Sequence, residues 1–310
     1  MKLSKEHIER LREMLARPGQ RIVVVSHTNP DGDAVGSSLA WAEVLRARGH
    51  EVTCVVPNKY PYFLDWMPGI DEVVIFKTDT EGRARRAIAE ADMIFCLDFN
   101  AVSRLEILSE TIQGNTTARR VLIDHHLSPD EGFDLMFSHP DSSSTCFLVY
   151  SIVEAMCGAG AITRRMAESL YVGMMTDTGN FAFSHLTPEL FRAVAVLLEK
   201  GISIPEIHNS VYNAYTEGRA RLFGYAINRK MALIEDGTVA YMSLLESEMR
   251  RFQFQQGDSE GFVNYALTIK KVKMSAMFLA HRKFIRISLR SRGDVDVNLF
   301  ARKYFNGGGP

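Results

Sequence analysis

The sequence lacks several features that would place it in a specialised class of proteins. No apolar run is long enough to cross a bilayer, and the charged start of the chain does not resemble a signal peptide. Only 4 cysteines occur, at Cys54, Cys96, Cys146 and Cys157, and no two have a close metal-type spacing. We interpret them as buried thiols in a reducing compartment, and we therefore expect a cytoplasmic protein that does not bind a membrane.

An excess of charge of either sign is also missing, because 36 Lys and Arg residues stand against 37 Asp and Glu residues. This balance argues against binding of long duplex DNA, so any surface that binds phosphate has to be local. Hydrophobic residues make up 46% of the sequence, which argues against a disordered chain. A length of 310 residues is enough for two domains.

Short apolar runs alternate with helical segments in the first part of the chain. The strand-like runs are Arg21–Ser26, Val52–Val56, Glu72–Phe76, Met93–Leu97 and Val121–Ile123. The alternation predicts an α/β fold with a mostly parallel sheet and helices on both faces. The helical segments are Ala34–Arg48, a run from the N-cap candidates Ser142–Thr145 to Met156, Arg164–Met175, and a helix beginning at Thr187-Pro188-Glu189.

The composition changes after this last helix. The runs Val239–Leu245, Ala276–Ala280 and Phe284–Leu289 alternate like strands of a second, smaller sheet. We therefore predict a first domain over residues 1–186, a helical connector over 187–213 and a smaller α+β domain over 214–310.

Acidic and imidazole side chains cluster at the ends of the predicted elements. The clusters are His27-x-x-x-Asp31-x-Asp33, Asp98, Asp124-His125-His126, each after a strand, and Asp177 after a helix. A single Asp after a strand is usually a turn residue. Ligands of open parallel sheets, however, bind outside the carboxyl ends of the strands, so we expect these clusters to converge. Burying several carboxylates together is unfavourable unless a cation neutralises them. Oxygen and imidazole ligands without thiolates suit Mn²⁺ or Mg²⁺.

These four clusters resemble the motifs of the DHH phosphoesterase superfamily. The whole chain resembles its bacterial branch of bifunctional oligoribonucleases, or nanoRNases, which also dephosphorylate 3′-phosphoadenosine 5′-phosphate (pAp). Phe262–Tyr265 and Ser288–Ser291 carry this resemblance in the predicted second domain.

The resemblance implies two divalent metal ions, Mn²⁺ first, with Mg²⁺ or Co²⁺ as alternatives. One metal would be bound by His27 and Asp31, the other by Asp33, His125 and Asp177, and Asp98 would bridge both. His126 would contact the scissile phosphate or help to transfer a proton, and Asp124 is assigned with it to the catalytic group.

Basic residues concentrate near the end of the chain, where 10 Lys or Arg residues lie between Asn264 and Phe305 against only two acidic ones. A solvated strand face would explain any one of them, whereas the cluster favours capture of phosphate. We predict substrate contacts from Arg104, Ser143, Asn264 and Arg290, although Arg104 and Ser143 could instead serve helix capping. The family's Gly-Gly-Gly-His loop is replaced by Gly307-Gly308-Gly309-Pro310, so we expect weak turnover of oligonucleotides.

The sequence therefore predicts a phosphoesterase that hydrolyses short oligoribonucleotides and pAp with a metal-activated water. Its partners would be short oligonucleotides and small phosphorylated nucleotides, and a homodimer is compatible with the sequence. The alternatives are a hydrolase of pApA or cyclic dinucleotide signals, an inorganic pyrophosphatase, and a non-enzymatic nucleotide-binding module.

Overall fold

The computed structural model of the chain describes residues 3–182 and 185–305. These residues fall into two compact units. The first extends to Val211, and the second begins at Tyr212 and also takes in the short segment Pro61–Phe63 from the first half of the chain. Within the described ranges, no helix is both long and apolar enough to cross a membrane. The segment Gly307–Pro310, on which the expected weak turnover of oligonucleotides rests, lies outside the described residues.

The first unit is built on a six-stranded parallel sheet in the order β3-β2-β1-β4-β5-β6. Its strands are β1 Arg21–Ser26, β2 Glu51–Val56, β3 Val74–Ile75, β4 Met93–Leu97, β5 Arg119–Asp124 and β6 Leu135–Ser138. The predicted α/β class with a parallel sheet is thereby confirmed. Strand β6, a short strand at the edge of the sheet, was not among the predicted runs.

The central strands are buried on both faces, which explains why they appear in the sequence as continuous apolar runs. Every residue of β4 is buried, and so is every residue of β1 after Arg21. From β1 the chain first adds β2 and β3 on one side and then returns to add β4, β5 and β6 on the other. This reversal between β1 and β4 opens a crevice at the carboxyl ends of the strands, where ligands of such sheets bind.

The α-helices up to the boundary of the first unit are α1 Lys5–Met14, α2 Gly32–Ala47, α3 Arg83–Ala89, α4 Ser109–Gly114, α5 Thr145–Cys157, α6 Arg164–Asp177, α7 Pro188–Glu199 and α8 Ile204–Tyr212. Of these, α2, α5, α6 and α7 correspond to the helical segments predicted from the sequence. Thr187 caps α7, as its position before a proline suggests. Of the four N-cap candidates for α5, Ser144 is the one whose hydroxyl accepts a backbone N–H, that of Phe147.

The second unit contains a smaller sheet in the order β10-β9-β8-β7. Its elements are α9 Glu217–Tyr225, β7 Ala232–Ile234, β8 Val239–Leu244, α10 Glu246–Arg251, α11 Phe262–Tyr265, β9 Met274–Ala280, β10 Ile285–Ser291 and α12 Val297–Tyr304. Strands β8 and β9 run parallel, and the outer pairs are antiparallel. One face of this sheet is covered by an apolar core that includes Met242, Leu244 and Met277. The α+β character predicted for this part of the chain is confirmed.

Candidate metal centre

The predicted acidic and imidazole side chains converge at the carboxyl end of the first sheet. Loops after β1, β4 and β5 supply most of them, and the last residue of α6 supplies Asp177. They form three groups, and within each group the ligand atoms lie within 4.8 Å of one another. The third group shares Asp98 with the first and His125 with the second. The groups are His27–Asp31–Asp98, Asp33–His125–Asp177 and Asp98–His125–His126.

The first group is arranged around His27. The Nδ1 atom of this ring lies 2.8 Å from the backbone carbonyl oxygen of Thr28. A carbonyl oxygen can only accept, so Nδ1 carries the hydrogen and Nε2 presents a free lone pair. Nε2 lies 3.5 Å from Oδ2 of Asp98. Asp31 joins the group as the N-cap of α2, where its Oδ1 accepts the backbone N–H groups of Asp33 and Ala34.

The second group is arranged around His125. Its Nε2 lies 3.6 Å from Oδ1 of Asp98, 3.6 Å from Oδ2 of Asp177 and 4.0 Å from Oδ2 of Asp33. Its Nδ1 faces the carbonyl oxygen of Ser142 at 3.3 Å, which again leaves Nε2 as the ligand atom. Asp98 therefore directs one carboxylate oxygen towards each histidine.

Asp33 is held by the beginning of helix α5. Its Oδ2 accepts the backbone N–H of Thr145 at 2.6 Å, and its Oδ1 accepts that of Cys146 at 2.8 Å. The first N–H groups of a helix have no partner within the helix and carry a partial positive charge. Asp33 thus satisfies these donors while its own negative charge is partly balanced.

His126 forms a buried pair with Asp124. Its Nδ1 lies 2.6 Å from Oδ1 of Asp124, a carboxylate with no exposed surface. The second oxygen of Asp124 has no hydrogen-bond partner within the described part of the chain. The pair fixes the ring so that Nε2 is directed away from Asp124, as in other histidines that are oriented by a carboxylate.

Electrostatics show that the site needs positive charge. Burial raises the pKa of Asp98 well above its ordinary value of 3.8, and repulsion from Asp33 and Asp31 raises it further. Burial likewise raises the pKa of Asp33. For His125, burial alone would lower the pKa, but the carboxylates of Asp177, Asp98 and Asp33 raise it to about 9. Without a cation, protons must balance the buried carboxylates.

This donor set fits a pair of divalent cations. It offers carboxylate and imidazole atoms, and the carboxylate of Asp98 lies beside one histidine of each group, His27 and His125. The nearest thiol, Cys146, has a pKa raised well above its ordinary value by burial and by Asp33, so it is not available as a thiolate ligand. Oxygen and nitrogen ligands without sulfur are typical of sites for Mn²⁺ and Mg²⁺.

Comparison with known proteins gives the family. The DHH family, N-terminal domain, matches residues 21–174, which include three of the four motifs. The crystal structure of an exopolyphosphatase-related protein from Bacteroides fragilis is 40% identical, with a TM-score of 0.91 over 99% of this chain and 89% of that chain. The chain belongs to the DHH family.

Two curated relatives are similar in sequence over nearly the whole length of the chain. The bifunctional oligoribonuclease and PAP phosphatase NrnA of Thermus thermophilus is 26% identical over 306 residues, 98% of this chain and 86% of the relative. The protein of the same name from Bacillus subtilis is 25% identical over 290 residues, 93% of this chain and 87% of the relative. DHH phosphoesterases depend on divalent metal ions, and the two groups on either side of the Asp98 carboxylate are the candidate sites in this DHH protein.

The predicted substrate contacts are divided between the two units. Arg104 is half-buried in the first unit, and its carbonyl oxygen accepts the N–H of Thr28 at 2.9 Å. Ser143 is buried, and its hydroxyl has no partner among the residues that the structure describes. Asn264 on α11 and Arg290 on β10 both belong to the second unit, where α11 packs against β9 and β10. Their roles in substrate binding stay predictions.

One residue that supports the segment between His27 and Asp31 was not predicted from the sequence. Asn58, after β2, accepts the backbone N–H of Asn29 at 2.7 Å and donates its own amide to the Asn29 side chain at 3.1 Å. Asn29 lies between His27 and Asp31 and has a left-handed φ of 57°. The sequence Pro30-Asp31-Gly32-Asp33 is typical of a turn, but the contact of Asn58 with this segment could not be predicted from the sequence.

Proposed function

We propose that this DHH protein is a two-metal phosphoesterase that hydrolyses phosphate esters of short oligoribonucleotides and of pAp. The proposal is carried by two neighbouring ligand groups, one that includes Asp98 and a second whose His125 lies 3.6 Å from the same carboxylate. The names of the relatives support the substrate class, because they are described as oligoribonucleases and PAP phosphatases. His27 and Asp31 would hold one ion, Asp33, His125 and Asp177 the other, with Asp98 between them and Mn²⁺ as the first candidate.

When bound, two divalent ions neutralise phosphate oxygens and lower the pKa of water, which supplies a nucleophile at neutral pH. The chain's own side chains define where this happens. His27 and His125 each have Nδ1 engaged with a backbone carbonyl oxygen, so their rings cannot turn away from Asp98. Rigid ligands keep the reacting groups aligned, which lowers the entropic part of the barrier.

Proton transfer falls to His126 in this proposal. Its Nδ1 is bound to the buried carboxylate of Asp124, so Nε2 is the atom that can meet substrate. A carboxylate in this position holds the imidazole in one tautomer and stabilises its protonated form. His126 can then donate a hydrogen bond or a proton at Nε2 to an oxygen of the phosphate ester.

Substrate binding is assigned to Arg104 and Ser143 in the first unit and to Asn264 and Arg290 in the second. The unpartnered hydroxyl of Ser143 supports its assignment, because a buried hydroxyl without a partner is unfavourable unless a ligand satisfies it. Arg290 is exposed on β10, the edge strand of the second sheet, and an arginine fork there suits a terminal phosphate.

The test is a substrate panel with the full chain and saturating Mn²⁺. We expect release of phosphate from pAp and of mononucleotides from a short oligoribonucleotide, with much slower turnover of a long RNA. Turnover of pApA or of a cyclic dinucleotide alone would contradict the proposal and indicate a hydrolase of dinucleotide signals. Turnover of pyrophosphate alone would contradict it and indicate a pyrophosphatase. Binding of pAp without hydrolysis of any substrate would indicate a nucleotide-binding module.

A further inference from the structure

Thr145, the first residue of α5, contacts two of the candidate metal ligands at once. Its hydroxyl donates a hydrogen bond of 2.9 Å to Oδ1 of Asp98. Its backbone N–H donates one of 2.6 Å to Oδ2 of Asp33. The side chain has no exposed surface, so neither bond competes with water. One residue thus connects a carboxylate of each ligand group.

Helix capping does not account for the Thr145 hydroxyl. Ser144 is the N-cap, and its hydroxyl accepts the N–H of Phe147 at 3.0 Å. The hydroxyl of Ser142 is also engaged, because it donates to the carbonyl oxygen of Ser144 at 2.9 Å. A threonine at the first helical position has no capping role, and a β-branched residue there brings no gain in helix propensity. The contact with Asp98 is the interaction that uses this hydroxyl.

The backbone of Asp98 has an unusual conformation, and its main-chain hydrogen bond does not hold the carboxylate. It has a φ of 65°, a left-handed conformation that is uncommon for residues other than glycine, asparagine and aspartate. Its N–H donates to the carbonyl oxygen of Ile123 at 3.1 Å, which anchors the main chain but leaves the carboxylate free to rotate. Strained residues of this kind persist where the surrounding structure fixes them.

The orientation of this carboxylate decides which histidine each oxygen meets. Oδ1 lies 3.6 Å from Nε2 of His125, and Oδ2 lies 3.5 Å from Nε2 of His27. A hydrogen bond that fixes Oδ1 also fixes Oδ2, because the two oxygens share one plane. Rotation about the side chain would remove an oxygen from one or both groups.

We propose that Thr145 is a positioning residue that sets the rotation of the Asp98 carboxylate and so allows it to serve both metal positions. This inference rests on the proposed function, since it presupposes that Asp98 bridges two ions. Partners of this type orient metal ligands, and their loss typically lowers metal affinity about 10–100-fold.

The experiment compares Thr145→Val, which keeps the branched shape but removes the donor, with Thr145→Ser, which keeps the hydroxyl. Ser151→Ala is the matched control, because Ser151 lies on the same helix and its hydroxyl donates only to the carbonyl oxygen of Phe147. Mn²⁺ is titrated calorimetrically into each chelator-treated full chain, and kcat and KM are then measured with pAp.

We expect two equivalents of Mn²⁺ in the wild type, in Ser151→Ala and in Thr145→Ser. In Thr145→Val, at least one equivalent should bind about 10–100-fold more weakly, and kcat should fall at fixed Mn²⁺ while KM for pAp stays close to that of the wild type. Thr145→Ala, which leaves space instead of an added methyl group, should repeat the loss. If circular dichroism shows that Thr145→Val does not fold, Thr145→Ala takes its place in the comparison.

Wild-type Mn²⁺ affinity at both positions in a folded Thr145→Val or Thr145→Ala chain would overturn the inference. An equal loss in Ser151→Ala would overturn it as well, because the effect would then come from α5 as a whole. A wild-type chain that binds no Mn²⁺ would instead refute the proposed function, so the two failures are distinguishable.

Discussion

At the scale of single residues, the site is defined by imidazole rings in which one nitrogen atom, Nδ1, already has a hydrogen-bond partner. His27, His125 and His126 each have Nδ1 directed to a carbonyl or carboxylate oxygen, and this leaves Nε2 for a metal or a substrate. Among these contacts, the one between His126 and Asp124 joins two buried side chains at 2.6 Å. It is therefore the contact whose role in catalysis can be tested with the smallest change.

Asp124→Asn should lower kcat and leave the metal site intact. The amide is similar in size but cannot balance a protonated imidazole, and general acid–base groups typically contribute about 10²–10⁴-fold. We expect a loss within this range, with KM and the Mn²⁺ content measured by mass spectrometry both unchanged. Asp134→Asn is the control, because Asp134 accepts the N–H of Arg120 outside the site. Unchanged kcat in Asp124→Asn would remove the pair from the mechanism.

The convergence of the acidic and imidazole residues could be predicted from the sequence, because each follows a recognisable strand or helix. Their roles as metal ligands stay predictions. The sequence could not predict Thr145 or Asn58 as supports. The bond from Thr145 to Asp98 spans 47 positions of the chain, and that from Asn58 to Asn29 spans 29. Such contacts depend on which loops meet in space, and no local periodicity records them.

At the scale of elements, the close packing of α2 on α6 brings Asp33 and Asp177 together. Gly173 on α6 permits this packing, because a Cβ at this position would lie 2.2 Å from Sγ of Cys146 and 2.6 Å from Oδ1 of Asp33. Neither neighbour can retreat easily, since both are buried.

Gly173→Ala should therefore destabilise the protein and displace Asp33. Overpacking of a dense core costs about 1–3 kcal/mol, and we expect weaker Mn²⁺ binding in the same variant. Chemical denaturation and a Mn²⁺ titration measure the two effects. Gly224→Ala on α9 is the matched control, because a Cβ there has no atom within 4 Å and should leave stability unchanged or slightly higher. Equal stability of both variants would contradict the packing argument.

Elements with strong patterns were predicted almost to the residue, and weak ones were not. The buried strand β4 coincides with the predicted run Met93–Leu97. Strand β7, which has only three residues, was missed because so short a run shows no alternation. The grouping of Pro61–Phe63 with the second unit could not be predicted from the sequence, since it depends on contacts with residues far along the chain.

At the scale of the whole molecule, the charged site links stability to pH and to metal. In the metal-free protein the pKa of His125 is raised from 6.5 to about 9, and those of Asp98 and Asp33 are raised from 3.8. The folded chain then binds more protons than the unfolded chain, so its free energy of unfolding falls as pH rises. The His125 contribution is fully present below pH 6.5 and is lost through about pH 9.

The melting temperature of the chelator-treated chain should accordingly fall between pH 6.5 and about pH 9. Divalent cations replace the protons, so the Mn²⁺-saturated chain should melt higher and show less of this dependence. The comparison is made by differential scanning fluorimetry at constant ionic strength. A metal-free chain that becomes more stable over this interval would contradict the assigned electrostatics.

The second unit should contribute to substrate binding more than to chemistry. Arg290→Ala is expected to raise KM for pAp by about tenfold, which corresponds to the loss of the binding free energy of one charge-assisted hydrogen bond. Its effect on bis-p-nitrophenyl phosphate, which lacks a second phosphate, should be smaller. Arg221→Ala is the control in the same unit, because Arg221 forms an exposed ion pair with Glu217. Equal losses on both substrates would mean that Arg290 serves folding or catalysis instead.

The proposed hydrolysis depends on two divalent ions that the residues around Asp98 would hold. Turnover of pAp and bound Mn²⁺, measured in one titration of the chelator-treated chain with Asp98→Ala in parallel, tests this dependence. We predict that the metal-free wild type is inactive and that activity appears as the second equivalent of Mn²⁺ binds. Asp98→Ala should remain inactive throughout, because it loses the carboxylate that lies beside both His27 and His125. Full turnover by the metal-free chain or by Asp98→Ala would contradict this dependence.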